Sequence, residues 1–185
     1  MSVTWLATRA TGLVSLGMLS AVVMLGVAYA AGWGNRIVPR IVTSGLHRRL
    51  AILTLVFLVL HIGTTVIDGY VPVSWWDVVV PFGSAYQPLW IGLAALAFDL
   101  LLAIMISSWL RDRIGERAWT AIHWSAYACW ALAAVHAVGV GSDRLMSLAV
   151  IGLGGVGILG VLAVRGAKPA AAPVNPPLPA SRVRA

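Results

Sequence analysis

Five runs of about twenty apolar residues dominate the sequence, at 11–33, 46–67, 88–110, 118–140 and 145–164. A helix of about 20 residues crosses a hydrocarbon core of about 30 Å. Backbone in lipid satisfies its polar groups only as a helix or a closed barrel. Barrel strands would show short segments alternating every second residue, and the sequence has none. The expected fold is therefore an all-α membrane protein, a bundle of five transmembrane helices. With 60% hydrophobic and 10% charged residues, the chain holds less than half the charge of an ordinary soluble domain, which is about 25%.

The basic residues set an expected orientation. Eleven of the thirteen fall in the first loop, the third loop and the C-terminal tail, including Arg36, Arg40, Arg48, Arg49, Arg111, Arg113 and Arg117. Only Arg9 and Arg144 lie on the other side. The positive-inside rule places the larger set in the cytoplasm, so the N-terminus is outside and the C-terminus inside. The net charge of +7 then reflects a lipid-facing cytoplasmic surface and not a nucleic-acid partner. The stretch 13–28 followed by Ala28, Tyr29 and Ala30 has the look of a cleaved signal peptide. Cleavage there would put Arg36, Arg40, Arg48 and Arg49 outside, against the charge rule, so the first run is read as a retained span. The connection 68–87, with its tryptophans and prolines, reads as an interfacial loop. Residues 1–165 form the membrane domain, and the Pro- and Ala-rich 166–185 is expected to be a disordered cytoplasmic tail.

Ionisable residues within membrane segments mark function, and four histidines stand out. His47 and His61 lie on the second run, His123 and His136 on the fourth. Their separations of 14 and 13 residues place each pair roughly 20 Å apart along its helix at about 1.5 Å per residue. The second and fourth spans run parallel, so His47 shares the cytoplasmic level with His123, and His61 the outer level with His136. Two histidines per level are too few for a bare zinc or copper ion, which wants further ligands. Haem brings four equatorial nitrogens and needs two axial ligands. Small residues near the histidines (Gly45, Ala51, Gly63, Ala133, Ala137 and Gly139 among them) leave space for a flat macrocycle. Two bis-histidine b-type haems, bound without covalent links because Cys129 is the single cysteine, is the reading of the residues. One feature resists it. Fourteen steps of about 100° return within about 40° of the start, whereas thirteen end about 140° away. His123 and His136 thus require a bend, a change of winding or different approach angles. The bland alternative is hydrogen-bonded core histidines.

At these residues the chain resembles the ferric reductase-like transmembrane domain family. The matching segments are ATRATGL, LHRRLAILTLVFLVLH and IHWSAYACWALAAVHAVG. The resemblance implies an inner haem on His47 and His123 and an outer haem on His61 and His136, and an oxidoreductase that carries electrons across the cell membrane. It also implies a place for Arg9 near an outer haem propionate. Arg48 and Arg117, with Arg49, are candidates for inner propionates, although topology explains all three equally well. Two departures stand out. The family core usually has six spans, and the given residues offer no run before ATRATGL to match the first of them. They also hold no flavin or nicotinamide motif, so a separate flavoprotein reductase or membrane quinol is the expected donor. Ferric iron, oxygen or a redox partner would accept on the outer side. A quinol-oxidising cytochrome b-like subunit and a haem-free metal carrier or assembly subunit are the alternatives.

Among secondary residues, Asp99 lies mid-span and is either a proton carrier or a structural hydrogen-bonding group. Cys129 and Trp130 fall midway between the histidine levels, and Asp68, Asp77 and Asp143 lie toward the outside, where they could attract ferric iron.

Overall fold

The computed structural model describes residues 2–32, 39–141 and 143–166. The expected tail and Arg36 lie outside the described residues. Among those described there are eight helices and no strand: α1 (Val3–Ala30), α2 (Arg40–Asp68), α3 (Trp75–Val79), α4 (Pro88–Trp109), α5 (Arg111–Ile114), α6 (Glu116–Trp124), α7 (Ala126–Val140) and α8 (Arg144–Gly166). Four of them, α1, α2, α4 and α8, are each long and apolar enough to cross a membrane.

Local chemistry sets the ends. Ser2 caps α1 by accepting from the Trp5 amide at 3.0 Å, the side-chain-to-backbone bond that a helix start requires. Gly69 closes α2 in the left-handed conformation, φ 65°, which glycine adopts without a Cβ penalty. Pro88 opens α4, where its missing N–H costs nothing. The connection 68–87 contains only the five-residue α3, held by a reciprocal Ser74–Asp77 capping box. It leaves Trp75 and Trp76 exposed.

The fourth apolar run departs from a single continuous span. It folds as α6 and α7, broken at Ser125. The Ser125 amide bonds to the Ile122 carbonyl at 3.0 Å, and its hydroxyl donates to the same carbonyl at 2.6 Å. A serine bonding back onto its own helix bends it. The i→i−3 pattern is the tighter 3₁₀ winding of about 120° per residue, and three residues of it add about 60° of rotation. The tighter turn at Ser125 changes the winding between His123 and His136.

Helix α1 is the hub, packing along α2, α8 and α7, while α4 packs on α7. In lipid, helices associate through close packing and hydrogen bonds, not through exclusion of water. Accordingly α8 meets α1 at glycines: a Cβ on Gly154 would lie 2.8 Å from that of Ser20, and one on Gly157 2.6 Å from Met24 Sδ. Trp130 of α7 donates to the Ser20 hydroxyl at 2.9 Å, and Cys129 donates to the Ala97 carbonyl at 3.2 Å. Both residues are thus committed to tying α7 to its neighbours. Leu19, Ala97, Leu101 and Ile104 complete the core around Cys129.

Helix α2 is the exception. It packs along its length only on α1, and only Thr43 and Thr54 are buried on it. Between α2 and the α6–α7 arm the backbones stand apart, leaving a slot. His61 and His136 line a cavity there, and His47 and His123 approach each other between the same helices, ring centroids 6.1 Å apart.

Candidate functional site

Each wall of the slot carries two histidines, and three of the four are fixed from behind by a main-chain carbonyl. His61 Nδ1 donates to the Thr8 carbonyl at 2.8 Å, and His47 Nδ1 to the Val22 carbonyl at 2.9 Å. On the opposite wall His136 Nδ1 donates to the Trp90 carbonyl of α4 at 2.9 Å. A carbonyl only accepts, so each of these Nδ1 atoms carries the proton and Nε2 keeps its lone pair free. That is the arrangement by which a metal-bound imidazole is oriented and made more basic.

The two walls meet differently at the two levels. At one, the rings of His47 and His123 stand 6.1 Å apart between centroids, tilted by 57°. The two imidazoles are therefore near neighbours across the slot. His123 Nδ1 is buried without a hydrogen-bond partner among the described residues. Its ring stacks on Trp119 at 4.9 Å, and the Arg111 guanidinium lies over that indole at 4.2 Å. Arg111, Trp119 and His123 thus form a column leading from the helix end to the slot. Arg48 and Arg117 are exposed at the same end.

At the other level, His61 and His136 line one cavity of about 270 Å³. Leu19, Thr54 and Cys129 lie at its mid-helix end, and Arg9, Asp143 and Tyr86 at its other end. Arg9 engages both carboxylate oxygens of Asp143 through two donors. Such a bidentate pair is strong and geometrically specific, and it gives Arg9 a protein carboxylate as partner at the cavity mouth. Asp68 is held by Ser2 and Thr4, and Asp77 by its capping box. The three acidic residues on this side therefore each have a local partner.

Asp143 lies between α7 and α8, outside the long apolar segments. The Arg9 guanidinium holds its carboxyl below the ordinary value of 3.8. A carboxyl depressed in the folded state stabilises the fold above the ordinary carboxylate value. That contribution disappears as pH falls through the lowered folded value. Unfolding curves of the wild type and Asp143→Asn in detergent should therefore differ at pH 7 and converge as pH falls through the lowered folded value. A gap that stays constant with pH would show that the ion pair contributes nothing.

The residues that position the histidines were not among those singled out from the sequence. On α1 the accepting carbonyls of Thr8 and Val22 are each followed one turn later by a glycine that faces the same histidine. A Cβ on Gly12 would lie 2.8 Å from Cε1 and Nδ1 of His61, and one on Gly26 would lie 3.3 Å from Cε1 of His47. Gly12 and Gly26 share the fourteen-residue spacing of His47 and His61, so α1 and α2 run antiparallel in one common register. That repeat in α1 was available to be found. By contrast, Gly45 and Gly63 face open space, and Gly139 sits under the Trp90 ring.

The chain matches no protein-family model, no curated protein and no solved structure. The site must be interpreted from its own residues. Among those described, no group of three or more His, Cys, Asp or Glu side chains converges on a point. The histidines offer paired nitrogens across a slot, a donor set suited to a flat ligand that brings its remaining donors with it.

Proposed function

We propose that this chain is a haem-carrying electron conduit of the cell membrane. In this reading α1, α2, α4, the α6–α7 arm and α8 make five crossings, with the N-terminus outside. The orientation rests on the clustering of Arg48, Arg49, Arg111, Arg113 and Arg117 at one end, against Arg9 and Arg144 at the other. His47 with His123, and His61 with His136, would hold two b-type haems, one above the other. The observation that supports the reading is that His47 and His123 approach each other with ring centroids 6.1 Å apart, while His61 and His136 line one cavity. Bound haem iron alternates between ferric and ferrous and supplies the one-electron chemistry.

The chain's own residues do the rest. The carbonyls of Thr8, Val22 and Trp90 fix the ring planes and present Nε2 to the slot. Leu19, Leu58 and Leu101 keep the cavity apolar. Arg9 and Asp143 close its outer mouth, and the Arg111–Trp119 column brings positive charge to the inner histidines. Electrons would enter on the cytoplasmic side from a separate flavoprotein or from membrane quinol. They would leave outside to ferric iron, oxygen or a redox partner.

A redox-titrated absorbance spectrum of the purified chain, with haem quantified against protein, tests this directly. The expected spectrum is that of low-spin, bis-imidazole haem, reducible in two steps. Protein purified from haem-replete cells with no haem absorbance would reject the proposal.

A further inference from the structure

Asp99 lies midway along α4, between Pro88 and Trp109. The face of α4 that enters the core carries Ala97, Leu101 and Ile104. At about 100° per residue Asp99 points to the opposite side of the helix, where it is half-buried. Ala103 and Ile106 continue this outward face and are both exposed. Toward the other end of α4 the same face is covered, because Phe82 of the connecting loop sits directly on Gly92. The protein's own cover therefore stops one to two turns short of Asp99.

Among the described residues no hydrogen bond or ion pair reaches this carboxyl. An ionisable group at the centre of a membrane helix is costly unless paired, and such groups pair with one another or line an interior. Asp99 does neither among the described residues. Among the described residues no cation lies at that depth either. Arg9 is taken by Asp143, Arg40 lies on Tyr29 and Arg111 on Trp119; Arg48 and Arg49 are exposed beside His47, two turns into α2, and Arg113, Arg117 and Arg144 lie in α5 and at the starts of α6 and α8. A second copy would bring to this spot only another carboxyl.

We propose that the outward face of α4 at Asp99 docks a transmembrane helix of a different subunit, one that presents a lysine or arginine at mid-bilayer to the Asp99 carboxylate. Opposite charges attract strongly where the surroundings are apolar. Ala103, one turn away on the same face, lets a helix backbone approach closely. The inference does not use the histidines and stands apart from the haem reading.

The test uses the full chain, fluorescently labelled in phosphatidylcholine vesicles, with a synthetic Leu/Ala transmembrane peptide as probe. One probe carries a central lysine and the other a central leucine. The lysine probe should associate about ten-fold more tightly, the scale of polar contacts between membrane helices. Asp99→Asn, which keeps the side-chain volume, and Asp99→Leu should both abolish the preference while helical content stays unchanged. Equal binding of the two probes to the wild type would overturn the proposal. So would a lysine preference that survives in Asp99→Asn. Asp99-dependent transfer between differently labelled copies of the chain, with the probe excluded, would assign the face to self-association instead and overturn it as well.

Discussion

On the proposed haem reading, His61→Ala is expected to lower the haem content of the purified protein from two per chain to about one, and His136→Ala should do the same. The expectation follows from the level each histidine occupies. His61 and His136 line one cavity, whereas His47 faces His123 across 6.1 Å. About 20 Å of helix separates the levels, so no single group reaches both. The informative comparison is between double variants. His61→Ala with His136→Ala removes two ligands of one site and should leave about one haem. His61→Ala with His47→Ala removes one ligand from each site and should leave almost none. Haem quantified by its pyridine complex against total protein gives the ratio. Equal haem in the two double variants would mean that the histidines are not paired by level.

Gly12→Ala should damage the same site without touching a histidine. The added Cβ would lie 2.8 Å from His61 Cε1 and Nδ1, closer than carbon atoms approach without something moving. The ring is tethered by its bond to the Thr8 carbonyl and can retreat only by breaking it. Overpacking of this kind costs about 1–3 kcal/mol, and the broken hydrogen bond adds about 1 kcal/mol. Gly26→Ala should cost less, because its Cβ would stand 3.3 Å from His47 Cε1, a gap that a slight shift relieves. Gly63→Ala meets nothing within 4 Å and gains helix propensity, so it should be neutral or stabilising by up to about 1 kcal/mol. Unfolding in mixed micelles ranks the three, and haem content should fall most in Gly12→Ala. Indistinguishable behaviour of Gly12→Ala and Gly63→Ala would refute the packing account.

What the sequence made legible was the part written in side chains. The apolar runs correspond to long helices at α1, α2, α4 and α8, and the glycine-lined last run does pack closely on α1. Spacing alone set His47 level with His123, and their rings face each other. The awkward thirteen-residue interval contains a break at Ser125, one of the changes of winding it calls for. No proline or glycine announced that break, which is why 118–140 read as one continuous span. The carbonyls behind the histidines were illegible for a different reason. Every residue has a carbonyl, and only the tertiary arrangement decides that those of Thr8, Val22 and Trp90 are the ones used. Partners distant in sequence were equally hidden. Nothing in the neighbourhood of Arg9 or Asp143 foretells their pairing.

The common register of α1 and α2 has a consequence for how such a chain can vary in length. Thr8 with Gly12 serves one histidine and Val22 with Gly26 serves the other, all on a single rigid helix. One residue inserted between 12 and 22 turns everything beyond it by about 100° and shifts it by about 1.5 Å. One histidine would keep its backing while the other lost both carbonyl and clearance. A compensating insertion in α2 would restore the match on that wall but misalign His47 with His123. Homologous chains that keep all four histidines should therefore confine insertions and deletions to the loops, above all the connection 68–87, and hold the middle of α1 and α2 at constant length.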